Sequence, residues 1–436
     1  MINLEKLFSL AEEQNLEALQ VIENREEGLA LTWFEGKLEK NEISDVSGLT
    51  VSGIVNGKRS VYTIENMDMP ESDVIRAIYE SASYMTGSEV FEIFEGSESY
   101  PEIAERTSDF HEIPLSKKIG LLAEVEKKIR AKEPRVAQIP GIEYEESVKF
   151  TRIINSRGLD IQKKNEYCVL DAELVASDGK AAQVGFEVEF KNNFNDFDVD
   201  GMVDKAIRMA VDMFDAKPVP TGEYPVIIEN KAMISLLSSF SGMFSGETHL
   251  KKISPIQGKL GQKVFSDLIT IHDMPLKEDA VLRQPFDEEG VACRNKTVVD
   301  KGVFTTMLHN LKTAKAFDTV STGSAFGGAP SGCNLFIEAG ERSKEELIAS
   351  IDKGLLLTNF DGLHAGLNAI SGDMSLKTCG FYIEGGKIVK PVTLIIMAGN
   401  FVQMMNDVEA VGSDLEMSYR GIGAPSVKFR SVSISG

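Results

Sequence analysis

The chain has 436 residues, 42% of them hydrophobic, enough for two or three ordinary domains with a sizeable core. Its 46 lysines and arginines face 67 aspartates and glutamates, and the resulting net charge of −21 repels phosphate backbones, which argues against a nucleic-acid partner. No apolar run reaches the roughly 18 residues needed to cross a bilayer, and the acid-bearing first segment lacks a secretion pattern, so a cytoplasmic protein without membrane contact is expected.

In chain order, residues 3 to 16 have the apolar spacing of an amphipathic helix. Alternating segments follow, among them SGLTVSGIVNGKRSVYTIEN, where NGK reads as a hairpin turn. Asp68 to Met85 reads as a helix with Pro70 in its first turn. LLAEVEKKIRAKEP repeats the helical pattern, and residues 148 to 190 read as strands with turns at SRG and SDGK. The segment KPVPTG, Lys217 to Gly222, sets the expected boundary between residues 1–216 and 217–436.

Beyond it the chain is richer in glycine and short apolar strands, such as KVFSDLITIHD, NLFIEAG, GLLLTNFDG, GFYIEGGKIVKPVTLIIMAGN and SVKFRSVSIS. Helices are expected at Met233 to Ser245, Phe304 to Phe317 and Lys344 to Asp352, the last opened by a capping box of Ser343 and Glu346. The expected class is α+β in two subdomains: an N-terminal mixed α/β meander and a C-terminal strand-rich, barrel-like antiparallel domain with interspersed helices. Cys168, Cys293, Cys333 and Cys379 stand singly, as free thiols in a reducing compartment do.

Most local motifs fail a chemical test. DFDVDG, Asp196 to Gly201, begins like a calcium loop, but its twelfth place is Ile207 where a bidentate Glu is needed; a capping loop is the simpler reading. His111-Glu112 lacks the second His of a zinc helix. His249, His272 and His364 are isolated, and GMFSG and GAPSG miss the nucleophile pattern by one position. The glycine-rich Ser321 to Gly332 lacks the Lys of a phosphate loop, although Gly327 and Gly328 let a backbone approach a ligand.

The stretch MISLLSSFSGMFSGE, Met233 to Glu247, is a helical pattern with no titratable group before its last residue. At ~100° per residue Ser235, Ser238 and Ser245 share one face, and Leu237, Phe240, Met243 and Phe244 another. Small serines also permit close helix packing, which accounts for the same face without a ligand.

FDEEGVACRNKTVVDKGVF, TAKAFDTVSTGSAFGG and the later GFYIEGGKIVKPVTLIIMAGNFVQMMNDVEAVGSDLE resemble the C-terminal signature of the TldD/TldE family, whose second member is also called PmbA. The N-terminal meander and IINSRGLDI resemble it too. The resemblance implies a cytoplasmic prokaryotic protein among metal-dependent peptidases once called modulators of DNA gyrase. Its two members pair and cut unstructured peptides, as in peptide-antibiotic maturation and antitoxin turnover.

The family's catalytic member carries HExxxH on the helix after the PVIIEN-like strand, with a Cys near the C-terminus as third zinc ligand. Here Ser238 and Ser239 stand at the first His and the Glu, Met243 at the second His, and MSYRGIGAPSVKF has no Cys. The resemblance therefore implies a non-catalytic TldE/PmbA-like subunit, with no metal ligand or cofactor of its own. Its expected partners are a zinc-bearing TldD-like subunit, or a second copy, and an unstructured peptide. Ser238, Ser241, Ser245, Gly327 and Gly328 are the candidate peptide contacts. Autonomous hydrolysis through Glu247, His249 or His272, and peptide binding without a catalytic partner, are the alternatives.

Overall fold

The computed structural model describes residues 2–85 and 93–436. The fold is α+β: a helix-backed antiparallel sheet in the first half, and a strand-rich second half built on a five-stranded barrel.

The first half begins with α1 (Leu4–Glu13), whose N-terminus is capped by the Asn3 side chain. Six strands, β1 (Ala18–Phe34), β2 (Lys37–Val55), β3 (Lys58–Ile64), β4 (Val136–Asn155), β5 (Asp160–Ser177) and β6 (Ala182–Lys191), pair in the order β3-β2-β1-β4-β5-β6. β2 and β3 turn at Asn56-Gly57, both with positive φ (51° and 70°), the conformation of a tight hairpin turn that glycine adopts without steric cost. The SRG and SDGK turns join β4 to β5 and β5 to β6 as expected.

The period of two in the sequence becomes a two-sided sheet. Cys168, Leu170, Ala172, Leu174 and Ala176 of β5 bury one face against α3 (Leu115–Lys132) and α4 (Val199–Val211), while α1 and α2 (Glu71–Tyr84) close a second core over Val51, Val74, Ile75 and Ile78. The opposite face carries Asp171, which stands opposite Glu143 in the β4–β5 register. Burial, reinforced by Glu143, Glu145 and Glu173, pushes its carboxyl up to about 7.

β7 (Gly222–Ile228) starts the second half and runs parallel to Lys353–Asp361. Antiparallel pairing continues through Asp373–Glu384 and Lys387–Asn400. Val427–Ser435 then pairs with β7 on one side and with Ile396–Ala398 on the other, which closes the ring. Val226, Ile228, Leu355, Leu357, Leu376, Met397 and Ile434 belong to one large core, whereas Ile227 and Leu356 point the other way onto Leu347 and Ile351.

A second sheet orders Val303–Phe304, Lys296–Asp300, Ile271–Asp273, Leu335–Ile337, Ile422–Ala424 and Glu416–Met417. Its centre holds the buried Asp273–Lys296 pair at 2.7 Å, and Asp273 also accepts from the Cys333 amide at 2.7 Å. Several contacts tie the halves together, among them the Lys163 ammonium donating to the Phe286 carbonyl at 2.9 Å and Lys231 pairing with Glu187.

Several expected elements are shorter or different. The helix over Phe304 to Phe317 reduces to Leu311–Ala316, because Val303–Phe304 joins a strand pair and Asn310 caps the helix only at that point. KVFSDLITIHD is extended only at Ile271–Asp273. Pro70 is the cap residue of α2 rather than part of its first turn, and the capping box of Ser343 and Glu346 opens the helix Lys344–Ala349. Asp198 caps α4 through the Gly201 amide at 3.0 Å, so DFDVDG does act as a helix cap.

Because folding favours the protonated Asp171 carboxyl, its contribution to stability is greatest below the unfolded value near 3.8 and is lost as pH rises towards about 7. Asp171→Asn should flatten the decline in stability between about pH 4 and 7, read by urea denaturation at each pH; an unchanged profile would contradict this.

Candidate functional site

β7 and its parallel neighbour Lys353–Asp361 end at the same end of the barrel, the position where ligands meet parallel strands in open α/β sheets. From β7 the chain enters α5 (Asn230–Phe240); from its neighbour it enters the short helical turn Leu363–Gly366. A third wall comes from the turn between Glu416–Met417 and Ile422–Ala424. That turn closes with the Gly421 amide on the Ser418 carbonyl at 2.9 Å, and Gly421 takes the left-handed φ of 71° it requires.

Between these walls lies an open cleft of about 610 Å³. Ser235, Ser238 and Ser239 line it from α5, with Ile234 at their side; Leu363, His364 and Leu367 form the second wall, and Ser418, Tyr419 and Arg420 the third. α5 presents serines here because Met233, Leu236, Leu237 and Phe240 turn into the core, where Phe240 stacks on Phe401 at 4.5 Å. No carboxylate is among the lining residues.

The hydroxyls are not equivalent. Ser235 donates to the Lys231 carbonyl at 3.0 Å and Ser239 to the Ser235 carbonyl at 2.8 Å, both one turn back along α5. Among the described residues the Ser238 hydroxyl has no hydrogen-bond partner. Arg420 donates through Nε to the Tyr419 hydroxyl at 2.9 Å and lies over that ring at 5.3 Å. It forms no ion pair among the described residues.

The expected continuous helix from Met233 to Ser245 is broken. The α-helix ends at Phe240, a 3-10 turn covers Ser241–Phe244, and a second short helix starts at Gly246. Serine and glycine are weak helix formers, and the Ser241 hydroxyl takes the Ser238 carbonyl at 2.9 Å. Ser245 therefore leaves the Ser235/Ser238 face: it is buried, and its hydroxyl has no partner. Met243 is buried too, with its carbonyl accepting from His249 Nε2 and the Ser254 hydroxyl, each at 2.9 Å.

Thus of the proposed contacts only Ser238, with Ser239 beside it, lines the cleft; Ser241 and Ser245 do not. Gly327 and Gly328 form the turn of the hairpin Ala325–Phe326 with Ala329–Pro330, and their amides donate to Glu288 at 3.0 and 3.4 Å. They too lie outside the cleft lining.

The residues considered for autonomous hydrolysis have separate structural partners. Burial pushes the His249 imidazole below its usual value, and the Lys251 ammonium lowers Glu247. His272 meets Glu338 at 3.1 Å and Thr297 at 3.3 Å, and His111 meets Glu166 at 3.1 Å. Among the described residues no group of three or more His, Cys, Asp or Glu is arranged to hold a metal. Hydroxyls at 238 and 239 and a buried thioether at 243 do not fit a zinc donor set.

The barrel's two parallel strands thus deliver a helix and a helical turn to the cleft, and a hairpin of the second sheet completes it. A family model described as the PmbA/TldA metallopeptidase C-terminal domain matches residues 221–436, and its central-domain counterpart matches residues 108–214. The chain belongs to the PmbA/TldD family.

It is 29% identical over 229 residues to the metalloprotease PmbA of Escherichia coli O157:H7, covering 52% of this chain and 49% of that protein. The chain thus spans about half the length of that curated relative, and 58% of a PmbA homolog from Buchnera aphidicola. A Thermotoga maritima structure put forward as a modulator of a DNA gyrase superposes with a TM-score of 0.92 at 28% identity, over 99% of each chain. TldE from Thermococcus kodakarensis shares the fold, with a TM-score of 0.88 at 23% identity, over 99% of this chain and 100% of that one.

Leu363, Leu367, Ser418, Tyr419 and Arg420 are wall residues that the sequence pattern did not single out; for the last two the signal available was the glycine turn that follows them. After equilibration with zinc and desalting, the chain should retain no stoichiometric metal by elemental analysis, and Ser238→His with Ser239→Glu should not create a site, because position 243 faces the core. One tightly held zinc per unmodified chain would contradict this.

Proposed function

We propose that this chain is a non-catalytic, peptide-holding subunit of a PmbA/TldD-type metallopeptidase, working with a zinc-bearing relative that performs the cleavage. The observation that carries the reading is the cleft itself. The helix after β7 and the turn near the C-terminus meet across it; the sequence resemblance aligns these two segments with the catalytic member's ligands, yet this chain brings hydroxyls, a tyrosine and an arginine to them. Such groups bind and orient a peptide but do not make a zinc site, and His364, the imidazole on the cleft wall, stands in no cluster of metal-holding side chains among the described residues.

An unstructured chain suits an open cleft bordered by short strands and turns, since main-chain hydrogen bonds hold a peptide with little dependence on its sequence. The acidic surface fits the absence of nucleic acid from this reading, and any link to gyrase would run through a processed peptide. Cytoplasmic residence and pairing with a TldD-like subunit, or with a second copy, belong to the same proposal.

The test is cleavage of an unstructured peptide by the purified chain, by a zinc-bearing family member from the same organism, and by their mixture. The expected result is no turnover by this chain alone and a higher rate in the mixture than with the zinc-bearing member alone. Metal-dependent turnover by this chain alone, abolished by His249→Gln or His272→Gln, would replace this reading with autonomous hydrolysis.

A further inference from the structure

The cleft has a polarity that peptide holding alone does not require. Asp and Glu outnumber Lys and Arg by 67 to 46 across the chain, yet no carboxylate lines the cleft. The acid on the same hairpin, Glu416, is already engaged by Lys231 at 3.6 Å and by the Asn230 amide at 3.3 Å. Every polar side chain facing the cleft is a hydroxyl, an imidazole or a guanidinium.

Several of these groups have unused donors among the described residues, Arg420 and Ser238 among them. Arg420 spends Nε on the Tyr419 hydroxyl, and its contact with that ring orients the guanidinium, while its two terminal amino groups have no partner among the described residues. Ser235 and Ser239 spend their protons on helix carbonyls, so the Ser238 hydroxyl is the serine donor left on α5. A planar guanidinium whose terminal amino groups are free matches a carboxylate, and a hydroxyl on another wall of the same cleft can donate to it as well.

Building on the reading of the cleft as a peptide holder, we infer that it captures the peptide by its free C-terminal carboxylate, which accepts from Arg420 and Ser238. Ile234, Leu363 and Leu367 supply an apolar surface for the terminal side chain, and His364 and Tyr419 flank the preceding residue. The chain terminus is preferred over an internal Asp or Glu because a terminus enters without requiring peptide on both sides of the anchor.

The experiment is fluorescence anisotropy with an N-terminally labelled unstructured peptide in three forms: free acid, C-terminal amide, and C-terminal amide with a Glu next to the end. The free acid should bind at least ~10-fold more tightly than either amide, as expected for a charge-assisted pair. Arg420→Gln should remove that preference, bringing the free acid down to the affinity of the amide, Arg420→Lys should restore part of it, and Ser238→Ala should weaken it less than Arg420→Gln. Lys180→Gln, an exposed change on the β5–β6 turn, should leave the preference intact and so exclude a general charge effect.

Equal binding of acid and amide would overturn carboxylate capture while leaving peptide holding in place. A Glu-bearing amide that binds as tightly as the acid would overturn the choice of the terminus in favour of side-chain carboxylates. Failure of all three forms to bind, alone or with the zinc-bearing subunit, would overturn peptide holding as well.

Discussion

Burial of one face of α5 in the barrel core is the constraint on which the cleft depends. Met233, Leu236, Leu237 and Phe240 are almost wholly inaccessible, and Phe240 lies flat on Phe401. Burying such side chains is worth ~1.5–3 kcal/mol each, so rotating the helix to bury its serines instead is strongly disfavoured. With the helix locked, Ser235, Ser238 and Ser239 face outward, and the parallel pairing of β7 with Lys353–Asp361 brings the second wall to the same end. The third wall follows from the second sheet, where Ile422–Ala424 runs parallel to Leu335–Ile337 and holds the Ser418–Gly421 turn in place.

Much of this architecture was legible in the sequence. Alternation in β4 to β6, with turn residues at SRG and SDGK, predicted strands that the structure contains, because each strand buries one face and leaves the other to solvent. The capping box of Ser343 and Glu346 marked a helix start from local chemistry alone. Elements whose pairing is set by distant chain were harder to read. The apolar residues near Phe304 look helical, but they are drawn into a strand pair with Val299 and Asp300, and only Asn310 offers a cap.

The candidate site was partly legible for the same reason. The chargeless face of α5 pointed to the Ser235/Ser238 wall, but helical periodicity carried past Phe240 placed Ser245 wrongly, whereas Met243 does join the core face with Phe240 and Phe244. The Gly327-Gly328 pair reads as an exposed approach to a ligand; its amides instead serve Glu288. Tyr419 and Arg420 lie roughly 180 residues from α5 in sequence, so no local pattern could join them to it; only the packing of the second sheet beside α5 does.

The central claim is that this cleft, and not another surface, holds an extended peptide. Hydrogen exchange of the full chain, with and without excess unstructured peptide, tests it most directly, since bound main chain slows exchange of the amides it covers. The account predicts slowed exchange at residues 363–367 and 418–421, with the Phe326–Gly328 hairpin unchanged. Slowing confined to the hairpin or to the first sheet, with these segments unaffected, would contradict it.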